Sequence, residues 1–266
     1  MNILEAVLLG IVQGFTEFLP ISSSGHLVLF QRIFGISGPM LSFDIILHLG
    51  SLTAVFIVFW GDITGILKKP FQNITYMLIA ATIPAVIAGV LFNAQIEALF
   101  SGGAFLAIGF IITGILLIYS DKIAKTNKFD KDISYKDAVI IGCMQAVAIV
   151  PGISRSGSTI TAGLYQKLSR ETAARFSFLL SIPAILGAAV ITAKNILDSP
   201  AGAAGFLSAG ALPLGFGFIA AMLSGYLSIR FMLDLIKKCK LSYFGYYVFA
   251  LAGFILADIF ITHRFF

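Results

Sequence analysis

FLPISSSGHLVLF, residues 18–30, interrupts a stretch that otherwise has the makings of a membrane segment: apolar residues dominate from Ile3 to Phe18 and resume at Leu27. Between them stand a proline, three consecutive serines, a glycine and a histidine. Polar residues at membrane depth are costly, and those that persist there usually serve a function. Pro20 removes a backbone donor and disfavours helix at Leu19. The serines after it are good N-caps for a fresh helix. The stretch therefore reads as a break between two short helices.

The surroundings support a membrane setting. The chain has 266 residues, 58% of them hydrophobic and 12% charged, with a mean hydropathy of +0.97. That composition lies outside the range of soluble domains and predicts an all-α polytopic membrane protein. A spanning helix needs about 20 mostly apolar residues, and the runs 43–60, 76–92, 104–119, 176–193, 206–229 and 243–262 predict six spans. Residues 1–10 carry only Glu5 and no basic cluster, so the first segment is expected to be retained rather than cleaved as a signal peptide. Cys143 and Cys239 are the only cysteines, which excludes a disulfide framework and a cysteine metal site. Topology accounts for the net charge of +5, so no nucleic-acid partner is expected.

Two stretches fall outside the six spans, 3–34 and 138–166, and both break in the middle. At a constant offset of 132, Gly10 meets Gly142, Gln13 meets Gln145, Ser22 meets Ser154, Ser24 meets Ser156 and Gly25 meets Gly157. This pattern predicts one membrane domain over 1–266 built from a duplicated unit. The first repeat covers 1–120 and the second 134–264, each a re-entrant hairpin followed by three spans.

Charge distribution tests that layout. If both broken segments enter and leave by one face, the loops 61–75, 120–137, 167–175 and 230–242 share a side and hold fourteen lysines and arginines. The opposite side keeps Arg32, Lys194 and Arg264, and Arg155 sits within the second hairpin. The positive-inside rule assigns the basic loops to the cytoplasm and both termini to the extracytoplasmic side. The hairpins then enter from opposite faces, so the halves form an inverted-topology repeat whose tips meet near the bilayer midplane.

Irregular backbone at that depth must be buried in protein or line a wet cavity. Ser22 or its neighbours in the first hairpin, and Ser154 or Ser156 in the second, can each cap a helix N-terminus, where free N–H groups favour an anion. Arg155 adds a planar cation suited to phosphate or carboxylate. Gln13 and Glu17 share a helix face leading into the break, and Ser23 and His26 can share one after it. Hydroxyl, imidazole, carboxylate and guanidinium together suit an anion that is also attacked. Structural alternatives stand beside each residue: Ser22 and Ser24 as packing residues, His26 as an interfacial side chain, Glu17 as an ion-pair partner of Arg155. Asp44 and His48 read first as interhelical hydrogen-bonding groups and second as support for the site.

QGFTEFLPISSSGH (13–26) and PGISRSGSTIT (151–161) resemble the two signatures of the BacA-type undecaprenyl-diphosphate phosphatases, and FSFLLSIPA (176–184) extends the resemblance over essentially the whole chain. The resemblance implies hydrolysis of undecaprenyl diphosphate to the monophosphate in the plasma membrane, recycling the lipid carrier of cell-wall sugars, with a divalent cation, Mg²⁺ or Ca²⁺. By position, Gln13, Glu17, Ser22, Ser23 and His26 match the first signature, and Ser154, Arg155, Ser156 and Thr159 the second. Gln13 stands where many members carry glutamate, so a second carboxylate for the metal is missing.

On this reading Arg155 and the helix termini, with Ser22, Ser154, Ser156 and Thr159, hold the diphosphate. Glu17 holds the metal, with Gln13 beside it, or orients the imidazole. Ser23 attacks phosphorus with His26 as base, or the two exchange roles. The partners are a long-chain prenyl diphosphate and the bilayer, with a homodimer as a candidate assembly. A transporter or flippase of a prenyl phosphate or other anion is the rival reading, since inverted repeats are common in transporters.

Overall fold

The computed structural model describes residues 1–36, 40–100, 103–126, 132–198 and 210–266. Lys128, Lys131 and the start of the 206–229 run lie outside them. The described residues form helices α1 (Ile3–Phe18), α2 (Ser23–Ile33), α3 (Leu41–Val58), α4 (Trp60–Lys68), α5 (Asn73–Leu91) and α6 (Asn93–Phe100). These continue with α7 (Gly103–Thr126), α8 (Tyr135–Val147), α9 (Arg155–Tyr165), α10 (Arg170–Asp198), α11 (Ala211–Lys238) and α12 (Ser242–Ala257), the last running into a π turn at Asp258–Thr262.

Among the described residues five helices are long and apolar enough to cross a membrane: Asn73–Leu91, Gly103–Ile123, Arg170–Ile196, Ala211–Lys238 and Ser242–Thr262. Ser42–Val58 qualifies together with Trp60–Lys68, and the pair is bent by 79°. The protein is thus a multi-pass membrane protein, with the expected first span ending in a sharp turn and a short helix where a loop was expected. No single helix of either broken segment is long enough to span alone: at 1.5 Å per residue α1 is about 24 Å long and α8 about 20 Å, short of a hydrocarbon core of about 30 Å.

Both segments break where expected and carry matched local devices. Asn2 and Ser134 each open the outer helix with a capping box, closed by Glu5 and Asp137 respectively. Ser22 and Ser154 cap the inner helices, accepting from the amides of Gly25 and Gly157. Gly10 and Gly142 let the outer helices approach neighbours closely. A methyl at Gly10 would overlap Gly217 and Ala220 of α11, and one at Gly142 would overlap Ala81 of α5. Small residues at such crossings are how apolar helices pack without a hydrophobic driving force between them.

Corresponding packing pairs recur with the halves exchanged. α1 lies against α11 while α8 lies against α5; α3 lies against α11 while α10 lies against α5; α7 and α12 pack on each other. Each hairpin is therefore walled in by helices on several sides.

Side-chain ties group the loops. Arg175 pairs with Asp62 at 2.9 Å, Lys237 with Glu171 at 3.1 Å, and Arg170 with Asp121 at 3.0 Å while also donating to the Cys239 carbonyl at 2.6 Å. Asp121 in turn accepts from the amides of Leu241 and Ser242. The ends of α3–α4, α7, α10 and α11 that carry the basic loops thus meet on one face. At the other end Asp258 accepts from the amides of Arg264, Phe265 and Phe266, and Arg32 donates to the Phe265 carbonyl. That arrangement ties the C-terminal turn to the end of α2.

Candidate active site

The two tips touch. Ser156 donates to the Leu19 carbonyl at 3.1 Å, and a methyl at Gly157 would lie 3.3 Å from the Pro20 ring. The buried backbone of the second tip is satisfied by Thr113 of α7, whose hydroxyl donates to the Gly152 carbonyl and accepts from the Ser154 amide, both at 2.9 Å. Gly109 of α7 lies so close that a methyl there would overlap the Pro151 carbonyl. Gly152 has φ +85°, a conformation glycine adopts without penalty. Ser22, the N-cap of the first tip, has φ +70° and ψ +97°. For a residue with a side chain that conformation costs roughly 1–3 kcal/mol and is typical of functional sites.

A cavity of about 340 Å³ opens beside the tips. Its polar wall includes Glu17, Ser22, Ser23, Ser24, Asp44, His48, Ser154 and Arg155; its apolar wall includes Leu27, Val28, Ile45, Ile149, Ile153 and Ile185. Ser23 and Arg155 are the first residues of α2 and α9. The ladders of these helices begin at His26 N–H to Ser22 and Ser158 N–H to Ser154, so the earlier amides lie outside them. The positive ends of two helices are thus directed at the region where the tips meet.

Glu17 is the centre of the polar cluster. Its Oε1 accepts from Arg155 Nη2 at 2.8 Å; its Oε2 accepts from Ser23 Oγ at 2.6 Å and from Gln13 Nε2 at 3.0 Å. The other terminal nitrogen of Arg155 donates to the Ser177 carbonyl at 3.0 Å, and Ser177 Oγ lies 2.7 Å from Thr159 Oγ1. One guanidinium therefore links the first tip, the second tip and α10. The chain Gln13, Glu17, Ser23 and Arg155 is assembled with a hydroxyl at its open end, facing the cavity.

Other residues singled out in the sequence lie differently. Ser22 and Ser154 line the cavity, whereas Ser156 and Thr159 are spent on Leu19, the Arg155 carbonyl and Ser177. They support Arg155 and the tip contact instead of facing the cavity. His26, expected beside Ser23, turns away: it is 2% exposed and packs between Phe110 and Tyr247. Its Nδ1 lies 2.7 Å from the Ser22 carbonyl and its Nε2 2.9 Å from the Tyr247 hydroxyl, so neither nitrogen is left for Ser23. An i, i+3 spacing puts Ser23 and His26 on neighbouring faces, but the deep packing against α7 and α12 takes the ring to the other side of the helix. Instead His48 reaches the cavity, with Nε2 3.7 Å from Glu17 Oε2. The signal for it in the sequence was a histidine and an aspartate four apart on an otherwise apolar helix.

A cation has a limited set of donors here. Among the described residues no group of three or more histidine, cysteine, aspartate or glutamate side chains could hold a metal ion. Glu17 offers Oε2, and the Gln13 carbonyl oxygen is buried without a hydrogen-bond partner. An incomplete protein ligand set fits a hard cation that fills its shell with phosphate oxygens and water, as Mg²⁺ often does.

Residues 6–254 match the family described as bacitracin resistance protein BacA. Similar proteins carry the name undecaprenyl-diphosphatase. The one from Carboxydothermus hydrogenoformans is 47% identical over 256 residues, covering 96% of this chain and 97% of the relative. The one from Halothermothrix orenii is 43% identical over 264 residues, covering 98% and 100%. A third, from Methanosphaera stadtmanae, is 42% identical over 269 residues, covering 93% and 94%.

Proposed function

The chain belongs to the BacA family, and from that membership we propose that it is an undecaprenyl-diphosphatase, an enzyme that hydrolyses undecaprenyl diphosphate to undecaprenyl phosphate and inorganic phosphate. The observation that carries the reading to particular residues is the chain from Arg155 through Glu17 to Ser23, ending at a cavity with one polar and one apolar wall.

In this account Arg155 and the free amides at the starts of α2 and α9 bind the diphosphate, and the apolar wall takes the first part of the prenyl chain. Ser23 Oγ attacks the terminal phosphorus. Its proton passes to Glu17 Oε2, within hydrogen-bond reach at 2.6 Å. The bond from phosphorus to the bridging oxygen breaks, and undecaprenyl phosphate leaves with the proton that Glu17 returns. Water then attacks the phosphoserine, giving its proton to Glu17; the Oγ–phosphorus bond breaks, and Ser23 takes that proton back. His26 anchors the tip through the Ser22 carbonyl and so positions Ser23. A divalent cation, Mg²⁺ or Ca²⁺, belongs to the reading, with Glu17 to hold it and Gln13 beside it. When bound, it neutralises charge on the phosphoryl oxygens.

The wider setting follows from the same reading. The enzyme sits in the plasma membrane with the basic loops in the cytoplasm and both termini outside, and it returns the lipid carrier to cell-wall synthesis. Its halves, 1–120 and 134–264, are an inverted repeat; the exchanged packing pairs support this. A homodimer is the assembly to test. The names of the relatives favour hydrolysis over transport. Phosphate release from a long-chain prenyl diphosphate by the purified chain, with and without chelator, tests the assignment: release that chelator abolishes is expected, and no release under any metal would end it.

A further inference from the structure

Of the three histidines, His26 has both ring nitrogens occupied and His263 lies on the exposed C-terminal turn. His48 differs from both. Its Nδ1 lies 2.7 Å from the Asp44 carbonyl oxygen, which can only accept, so Nδ1 carries the hydrogen and the neutral ring has its lone pair at Nε2. That lone pair faces Glu17 Oε2, a second acceptor, at 3.7 Å across the polar wall of the cavity.

Two acceptors held this way repel unless a proton or a metal cation lies between them. The arrangement is the one metal-binding histidines adopt, with the outer ring N–H given to a backbone carbonyl so that tautomer and orientation are fixed. Gln13, the other candidate beside Glu17, is turned the opposite way: it presents its Nε2 donor to Glu17 Oε2 at 3.0 Å and to Ser51 Oγ at 3.4 Å. Its amide thus acts as a donor toward the carboxylate, and although its Oε1 is unpartnered, Gln13 does not line the cavity as His48 does.

We propose that His48 Nε2 is the second protein ligand, with the Glu17 carboxylate, of a divalent cation in this cavity, in place of the residue at position 13. The inference rests on the divalent-cation reading of the site given above. A nitrogen ligand carries a selectivity. Ca²⁺ and Mg²⁺ favour all-oxygen shells, whereas imidazole suits the first-row ions Fe²⁺, Ni²⁺, Cu²⁺ and Zn²⁺; Mn²⁺ is the hardest of that row and shares the oxygen preference of Mg²⁺. His48 should therefore add more to the binding of a transition ion, Mn²⁺ included, than to that of Ca²⁺.

The test uses Mn²⁺ as the probe on the full chain in detergent, with electron spin-echo modulation as the readout. The expected result is ¹⁴N coupling to bound Mn²⁺ that changes to the ¹⁵N pattern when the wild-type chain is made with ¹⁵N-histidine. His48→Ala should remove the coupling and weaken Mn²⁺ binding about 10-fold or more, with a smaller change for Ca²⁺. The labelling experiment needs no variant, so it stands even if His48→Ala does not fold. Bound Mn²⁺ without histidine coupling, or coupling that survives His48→Ala, would overturn the His48 assignment and leave the cation reading intact. No Mn²⁺ binding at all, with or without a prenyl diphosphate, would overturn both.

Discussion

Arg155 donates to Glu17 across 2.8 Å and thereby joins two helix tips that lie 138 residues apart in the chain. Neither side chain has this meaning alone. A buried guanidinium needs an anion, and a buried carboxylate needs donors. Each meets the other's requirement while the cavity beside them stays open. An incoming phosphate can compete with Glu17 for the same nitrogen, and the second bond of Arg155, to the Ser177 carbonyl at 3.0 Å, holds the guanidinium in place while it does.

Arg155→Lys should therefore lose most of its activity although the charge is kept. A lysine offers one nitrogen where the arginine uses two on different partners, and it cannot make paired contacts to phosphate. A fall in kcat/KM of about 10²-fold, the scale of removing one well-placed donor from a transition state, is expected in a phosphate-release assay. Near-normal turnover would make Arg155 structural.

Thr113→Val should destabilise the protein by about 1–3 kcal/mol, because it leaves a buried Gly152 carbonyl and a Ser154 amide without their shared partner. Activity should fall too, since Ser154 opens the helix that begins with Arg155. Thermal unfolding in detergent and phosphate release on the same preparation check both parts. Unchanged stability would mean the tip backbone is satisfied in another way.

Gly109→Ala should be harmful and Gly253→Ala neutral. A methyl at 109 would overlap the Pro151 carbonyl, and one at 253 meets nothing within 4 Å. Overpacking of a tight contact typically costs about 1–3 kcal/mol. The difference in unfolding temperature between the two variants measures how far the second tip depends on close approach by α7.

The breaks were legible because proline and serine act locally: Pro20 and Pro151 end helices, and Ser22 and Ser154 start them, whatever surrounds them. The shared face of the basic loops was legible from charge alone, and the Asp62–Arg175 and Asp121–Arg170 pairs group those loops. Side-chain direction was not legible. His26 faces Tyr247, 221 residues away, and His48 faces Glu17, because of how α7, α12 and α3 pack around the tips. No local spacing carries that information. The apolar run 43–60 predicts a span followed by a loop over 61–75, whereas Trp60–Lys68 forms a separate helix bent by 79° from the span, because no local signal in 61–68 marks that turn.

Termini on the lysine-poor face predict that single cysteines at positions 2 and 266, in a background without Cys143 and Cys239, react with a membrane-impermeant reagent on intact cells. The ties from Arg32 and Asp258 to the C-terminal turn put position 266 beside the end of α2. Protection of both cysteines would invert the assigned topology.

Ser23 as the nucleophile of a hydrolase is tested by single-turnover hydrolysis set beside equilibrium binding of a prenyl diphosphate on Ser23→Ala. The account predicts that phosphate release falls by several orders of magnitude, as losses of a nucleophile do. Binding should change by no more than the loss of one hydrogen bond, about 0.5–1.5 kcal/mol, because Arg155 and the helix amides remain. Hydrolysis undiminished in Ser23→Ala would contradict the account.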